Sequence, residues 1–205
     1  VADKTLLKPI AKATMRFSIK GTSPLITHQW SEKAKDMMRE KHAGKKTKTR
    51  EIRNPKAEME SAIYRTKDGA YGVPGLALKA AIINAAHKDL GVEKTLVRKA
   101  LFLRTDDPNK VIELQSDAEP TMREDMVRVG MSQTDMRYRP QWDDWAIDVE
   151  FEVDTELLRP DDVLTLVDRA GFGVGICEWR PEKGGEFGRF CVDLSKPVQV
   201  EMKPV

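Results

Sequence analysis

Two hydrophobic periods partition this chain. In "ATMRFSIKG" (residues 13–21), Met15, Phe17 and Ile19 alternate with Thr14, Arg16, Ser18 and Lys20. A period of two sends neighbouring side chains to opposite faces, so the stretch predicts a half-buried strand with a basic outer face. "WAIDVEFEV" (145–153) is the cleanest strand. Trp145, Ile147, Val149, Phe151 and Val153 share one face; Asp148, Glu150 and Glu152 share the other. The helical period runs instead through Leu76, Leu78, Ala81, Ile82, Ala85, Ala86 and Leu90, with Gly91 as its stop. Its small residues suit close packing on a sheet. A second main helix is predicted in "RPDDVLTLVDRAG". Pro160 takes its first position, Asp161 and Asp162 favour the positive end of the dipole, and Gly171 caps its end.

Shorter elements fill the intervals. "SEKAKDMMREKHA" predicts a helix capped by Ser31, and "NPKAEMESAIYRT" another, with Asn54 as cap and Pro55 first. Pro24 breaks the ladder after the first strand, and "KDGAYGVPG" is turn chemistry. "ALFLRT" and "KVIELQ" predict two strands joined by the turn "DDPN", and residues 126–129 a short strand. "DMRYRPQWDDW" reads as a loop rich in arginine and aromatics. "RFCVDL" predicts a strand near the C-terminus, with "PVQVEM" as a further candidate. Setting aside residues 27–72 leaves strand, helix, strand, strand, helix, strand. That order predicts an α+β fold with a ferredoxin-like (RRM-like) antiparallel core. The 205 residues suit one domain, with 27–72 inserted as a basic arm and residues 171–188 as a glycine-rich loop.

Composition narrows the function classes. With 40% hydrophobic and 33% charged residues, a core is affordable beneath a heavily charged surface. The apolar runs are too short to cross a bilayer, and the first residues lack the apolar core and cleavage site of a secretory signal. Cys177 and Cys191 are too few for a disulfide framework or a zinc site, so a cytoplasmic location is expected, with no membrane partner. The formal net charge of +2 conceals a polarity. Residues 41–56 carry seven Lys/Arg (Lys41, Lys45, Lys46, Lys48, Arg50, Arg53, Lys56) against Glu51, a local charge of +6. The remainder therefore sums to −4 (+2 minus +6).

Three segments have a composition suited to nucleic acid, each with a plainer reading beside it. The stretch "RAGFGVGICEWRPEKGGEFGRFCV" mixes glycines with Trp179, Arg180, Lys183, Phe187 and Arg189. It is either a loop whose backbone (Gly184, Gly185) and side chains meet a nucleic-acid strand, or a tightly packed helix-to-strand connection. The 41–56 run is either a phosphate clamp or a solvated loop. Arg137, Tyr138, Arg139 and Trp142 interleave cation and aromatic, which suits base stacking or a loop pinned to the core. His28, His42 and His87 lack metal-site spacing. The acid pairs at 106–107, 143–144 and 161–162 fit turns and a helix start. No nucleotide-binding glycine fingerprint, phosphate loop or nucleophile elbow is present, so no cofactor and no metal is expected.

Certain motifs resemble a known group. "SIKGTSPLITH" (18–28) resembles the strand and "sPLh" turn that open members of the repeat-associated RAMP superfamily of CRISPR ribonucleoproteins. "VPGLALKAAI" (73–82), which contains Lys79, is similar to their "iPGsslKgalr" helix start. The stretch 171–188 resembles their closing glycine-rich loop. The resemblance covers both ends and the middle of the chain, in order. It implies a ferredoxin-like fold, a role in antiviral defence, and RNA as ligand; composition does not separate RNA from DNA, and a phage-encoded relative would share these features. The expectation is a non-catalytic subunit that assembles along single-stranded nucleic acid with copies of itself or with other subunits. Its candidate contacts are Arg16, Lys20, Lys45, Lys46, Lys48, Arg50, Arg53, Lys79, Arg137, Tyr138, Arg139, Trp179, Arg180, Lys183, Gly184, Gly185, Phe187 and Arg189. The basic arm is expected to meet an acidic face such as Asp148, Glu150 and Glu152 on the next copy. The alternatives are a metal-independent endoribonuclease using His28, a phage single-strand DNA-binding protein, or a structural assembly protein.

Overall fold

The predicted first strand, β1 (Lys12–Gly21), lies at the centre of the main sheet. The computed structural model describes residues 9–44, 52–130 and 133–203. β1 runs antiparallel to β9 (Ala146–Asp154), with a register from Lys12↔Asp154 to Lys20↔Ala146. Because opposed residues share a face, this register sets Met15 beside Phe151, Phe17 beside Val149 and Ile19 beside Ile147. It also sets Arg16 beside Glu150 and Ser18 beside Asp148 on the opposite face. The period-two patterns of the two strands thus interlock as one apolar face and one charged face.

β1 carries two strands on its other edge. β10 (Phe190–Val192) pairs with residues 19–21 and β11 (Gln199–Lys203) with residues 12–16. Beyond β9, both β5 (Leu101–Arg104) and β6 (Val111–Gln115) pair with β9. The turn expected at "DDPN" joins these two strands, closed by the Lys110 N–H donating to the Asp107 carbonyl (3.0 Å), although the two strands do not pair with each other. Leu101 lies opposite Val153 and Leu114 opposite Ile147, so they are successive segments along one edge. The excursion between them is pinned by Asp107, which accepts from the N–H groups of Lys67 (2.7 Å), Asn109 (2.8 Å) and Val111 (3.2 Å). β4 (Tyr71–Pro74), in a stretch read as turn, adds to β6, and β3 (Tyr64–Arg65) adds to β4. The order is β10-β1-β9-β6-β4-β3, with β11 on β1 and β5 on β9, and all described pairings are antiparallel.

α3 (Gly75–Leu90) and α5 (Pro160–Arg169) cover the apolar face, as their patterns predict. Leu78, Ile82, Ala85, Val163, Leu166 and Val167 join Met15, Phe17, Ile19, Val149 and Phe151 in one core. Each large aliphatic or aromatic side chain buried there contributes about 1.5–3 kcal/mol. α4 (Lys94–Ala100), not anticipated, adds Val97 and Ala100. Pro160, Asp161 and Asp162 occupy the first turn of α5 as expected. Gly171 is not the cap. The chain continues through a π-helical turn at Ala170–Val174, and Gly175 (φ 69°) ends it. Gly171 is instead packed against Phe190, whose carbonyl oxygen a Cβ would overlap.

The predicted insertion, 27–72, holds α1 (Glu32–His42) and α2 (Pro55–Ser61), and β2 (Leu25–Ile26) immediately precedes it. Ser31 and Asn54 cap the two helices through hydrogen bonds from the N–H groups of Ala34 and Ala57 (both 3.2 Å). A second sheet, β2-β8-β7, comes from a long hairpin of β7 (Thr121–Val129) and β8 (Gln133–Trp142). The stretch read as an Arg/aromatic loop is therefore a strand. Pro140 lies within it, opposite Met122 in the register. Among the described residues no helix is long and apolar enough to cross a membrane.

Candidate nucleic-acid interface

The glycine-rich segment is a self-packed loop hydrogen-bonded to the turn after β1. The Ile176 N–H donates to the Gly188 carbonyl (2.9 Å), and the Gly188 N–H to the Pro24 carbonyl (2.8 Å). The Glu178 N–H donates to Ile26 (3.0 Å), the Arg189 N–H to Ser23 Oγ (3.0 Å) and the Thr22 N–H to Arg189 (2.9 Å). Glycine is required where backbones cross. Gly188 has φ 65°, and a Cβ on it would overlap the Ile176 carbonyl; one on Gly185 would overlap the Trp179 carbonyl. The close-packing explanation thus accounts for these two glycines directly. Gly184 (φ 79°) differs, since its Cβ would meet open space.

The framework presents aromatic rings and cations outward. Trp179 stays 41% exposed although its φ of 53° is unfavourable for a bulky residue, and Cys177 is similar at φ 63°. Phe172, missed as a candidate despite lying within the same stretch, is 71% exposed with the Arg189 guanidinium 5.0 Å from its ring centre. Phe187 is half-buried beneath the guanidinium of Arg123, 4.8 Å away. Lys183 is exposed. Arg180 is committed locally. It donates to the Cys177 carbonyl (3.0 Å) and pairs with Glu182 (3.2 Å), which also accepts from Lys88 (2.9 Å) and Asn84 (3.2 Å).

Between this loop and α3 lies a pocket of ≈ 190 Å³. His28 and Tyr64 line it from the insertion, Pro74, Ala77, Ala80, Ala81 and Asn84 from β4 and α3, and residues between Val174 and Glu182 from the loop. Burial, and secondarily the Arg139 charge, holds His28 below its ordinary value, against an opposing pull from Glu178. Burial pushes the Cys177 thiol up to about 12, so it remains a thiol at neutral pH. These lining residues lie between residues 28 and 182, so no single stretch of sequence forms the pocket.

The hairpin cations are placed differently. Arg139 is buried, facing Asp125 (3.4 Å) and Glu178 (3.5 Å), while Asp125 also takes Arg123 (2.7 Å). Arg137 pairs with Asp135 (3.1 Å), and Tyr138 is half-buried. Arg53 binds Asp135 (2.7 Å), Glu58 and the Met136 carbonyl (2.6 Å), tying the start of α2 to the edge of β8. Arg139 and Arg53 therefore serve the packing of the second sheet. Arg139 Nε and Trp142 Nε1 are buried donors without a protein acceptor among the described residues.

The outer face of the main sheet is an ion-pair lattice. Arg16 joins Glu150 and Glu201 (both 2.8 Å), Lys12 joins Glu152 (3.2 Å), and Arg104 joins Glu152 (2.8 Å) and Glu150 (3.3 Å). Lys203 and Lys196 reach Glu152 (3.6 Å) and Asp148 (3.7 Å), and Lys20 reaches Asp193 (3.4 Å). The acids expected to meet another copy's basic arm already have partners in their own chain. A cleft of ≈ 680 Å³ over this face is lined by four basic residues (Arg16, Lys67, Arg104, Lys196) and six acids (Asp68, Asp106, Asp107, Glu113, Asp148, Glu150). That balance disfavours a polyanion. Lys79 lies on α3 with its ammonium 4.5 Å from the centre of the Phe102 ring, and burial lowers its pKa. Lys45, Lys46, Lys48 and Arg50 lie outside the described residues.

Among the described residues no group of three or more His, Cys, Asp and Glu is placed to hold a metal ion. No protein-family profile and no curated protein matches the sequence.

Proposed function

We propose that this chain is a non-catalytic subunit that binds single-stranded nucleic acid, RNA in the first instance, on the face built by the glycine-rich loop. The observation that carries this reading is convergence. The turn at residues 23–26 is hydrogen-bonded to the loop at 174–188, and that loop encloses a pocket together with His28 and the helix start at 74–84, segments far apart in sequence. These are the same three segments whose motifs resemble the RAMP superfamily. Exposed Phe172 and Trp179 give stacking surfaces, worth about 1–3 kcal/mol per base. A ferredoxin-like core is part of the same proposal. Its support is the central order β10-β1-β9 followed by β5 and β6, with α3 and α5 on one face. Assembly along the strand with further copies or other subunits completes the reading, in which residues 41–56 supply phosphate contacts.

The test is fluorescence anisotropy with a labelled single-stranded RNA at about 50 and about 200 mM salt, across which affinity falls at least about tenfold when several phosphates are neutralised. Reversing Lys45, Lys46 and Lys48 to Glu is expected to reduce the logarithmic salt slope by about 2. Absence of binding at low salt would remove the reading and favour a protein-only structural role. RNA cleavage that persists in EDTA and disappears in His28→Ala would assign a ribonuclease instead.

A further inference from the structure

We propose, resting on the single-strand reading above, that the pocket between α3 and the glycine-rich loop receives one unstacked nucleobase of the bound strand. Size is the first argument. At ≈ 190 Å³ the pocket has the room of about six waters at ~30 Å³ each. It is smaller than the ~300–1,000 Å³ of sites for drug-sized ligands, and it suits a single planar heterocycle without its sugar and phosphate. Wall chemistry is the second argument. Pro74, Ala77, Ala81, Val174 and Ile176 supply small apolar surfaces on which a ring can lie.

Polar complementarity is the third argument. The His28 ring and the Tyr64 hydroxyl line the pocket and have no hydrogen-bond partner among the described residues. A neutral imidazole offers one donor and one acceptor, and a phenol can serve as either, which matches the mixed edge of a base. Charge then discriminates within the ligand. Glu178 and Glu182 stand at the pocket, while Arg180 is occupied by Glu182 and the Cys177 carbonyl. Both carboxylates are themselves paired, Glu178 with Arg139 (3.5 Å) and Glu182 with Lys88 (2.9 Å) and Arg180 (3.2 Å). Among the described residues no arginine or lysine lining the pocket is thus left unpaired to draw in a phosphate, while the carboxylates' remaining lone pairs can accept from ring N–H or exocyclic amino groups. The backbone of the strand therefore stays outside, and only the base enters.

The experiment compares a single strand carrying bases with a strand of equal length made entirely of abasic residues. Both are titrated into the full chain at one salt concentration. The base-bearing strand is expected to bind at least about tenfold more tightly. Ala77→Phe, which fills the pocket, should remove most of that ratio while leaving the salt slope unchanged. Tyr64→Phe, which keeps the ring and deletes only the hydroxyl, should lower the ratio about threefold, and it decides the matter if Ala77→Phe does not fold by circular dichroism. Equal binding of the two strands overturns the base pocket but leaves single-strand binding intact. A ratio unchanged in the folded variants also overturns it, and assigns the preference to stacking elsewhere. Failure of the wild type to bind either strand removes the parent reading instead.

Discussion

Gly188 and Gly184 both hold positive φ, 65° and 79°, yet their surroundings differ. A Cβ at Gly188 would overlap the Ile176 carbonyl, whereas one at Gly184 would meet nothing. Gly188→Ala is therefore expected to cost about 3 kcal/mol, from conformation and overlap together. Gly184→Ala should cost only about 1–2 kcal/mol, the conformational part, and urea unfolding of the two variants would measure the difference. His28 gives a pH-dependent counterpart. Its folded pKa lies below the ordinary 6.5 because burial disfavours the imidazolium. As pH falls through 6.5 the unfolded chain takes up a proton that the folded chain resists, so stability is full above that point and declines below it. His28→Gln should flatten the stability profile between about pH 7 and about pH 5, measured by thermal unfolding across that range.

The hairpin of β7 and β8 illustrates what happens when an element buries charge. Asp125 and Arg139 are both nearly inaccessible and face each other across the ladder beside Glu178 and Arg123. Removing one partner leaves the other desolvated and under-compensated, so Asp125→Ala should lower stability by about 3–5 kcal/mol. Replacing both, as Asp125→Ala with Arg139→Met, should recover most of that loss, and a double-mutant cycle by denaturant unfolding tests it. This strand was legible in principle. Asp135, Arg137, Arg139 and Gln141 alternate with Met136, Tyr138, Pro140 and Trp142, a period of two. It was read instead as a loop rich in arginine and aromatics, because its charged face, with Arg139, is one that tertiary packing turned inward. α4 and β4 were missed for a different reason: each is too short, at seven and four residues, to show a hydrophobic period.

For the whole molecule, the ion-pair lattice on the outer sheet face redirects the functional reading. Each exposed pair contributes about 0–1 kcal/mol, so its main effect is to neutralise a face rather than to stabilise it. Burial opposes ionisation of Asp148, but hydrogen bonds it accepts from Ser18 and Gln115 hold it below its ordinary range, and Glu152 is held low by hydrogen bonds it accepts from Lys12 and Arg104. Depressed carboxyl pKa values mean that stability is present above the unfolded values of 3.8 and 4.5 and is lost as pH falls below them. Acid unfolding should therefore show two windows: a shallow decline from His28 below about pH 6.5, and a steeper one below about pH 4.5. Only the first should disappear in His28→Gln.

The alternation in β1 and β9 and the helical period in α3 and α5 were set by local sequence. Such a period chooses which side chains share a face, and the hydrophobic effect then requires those faces to meet. The helix caps at Ser31 and Asn54 were equally local, because a cap is made within one turn. Tertiary structure alone decided which cations have partners, why Gly185 and Gly188 must be glycine, and that residues from 28 to 182 enclose a single pocket. Those properties depend on contacts between chain segments far apart in sequence, and no periodicity along the chain encodes the distance between such segments.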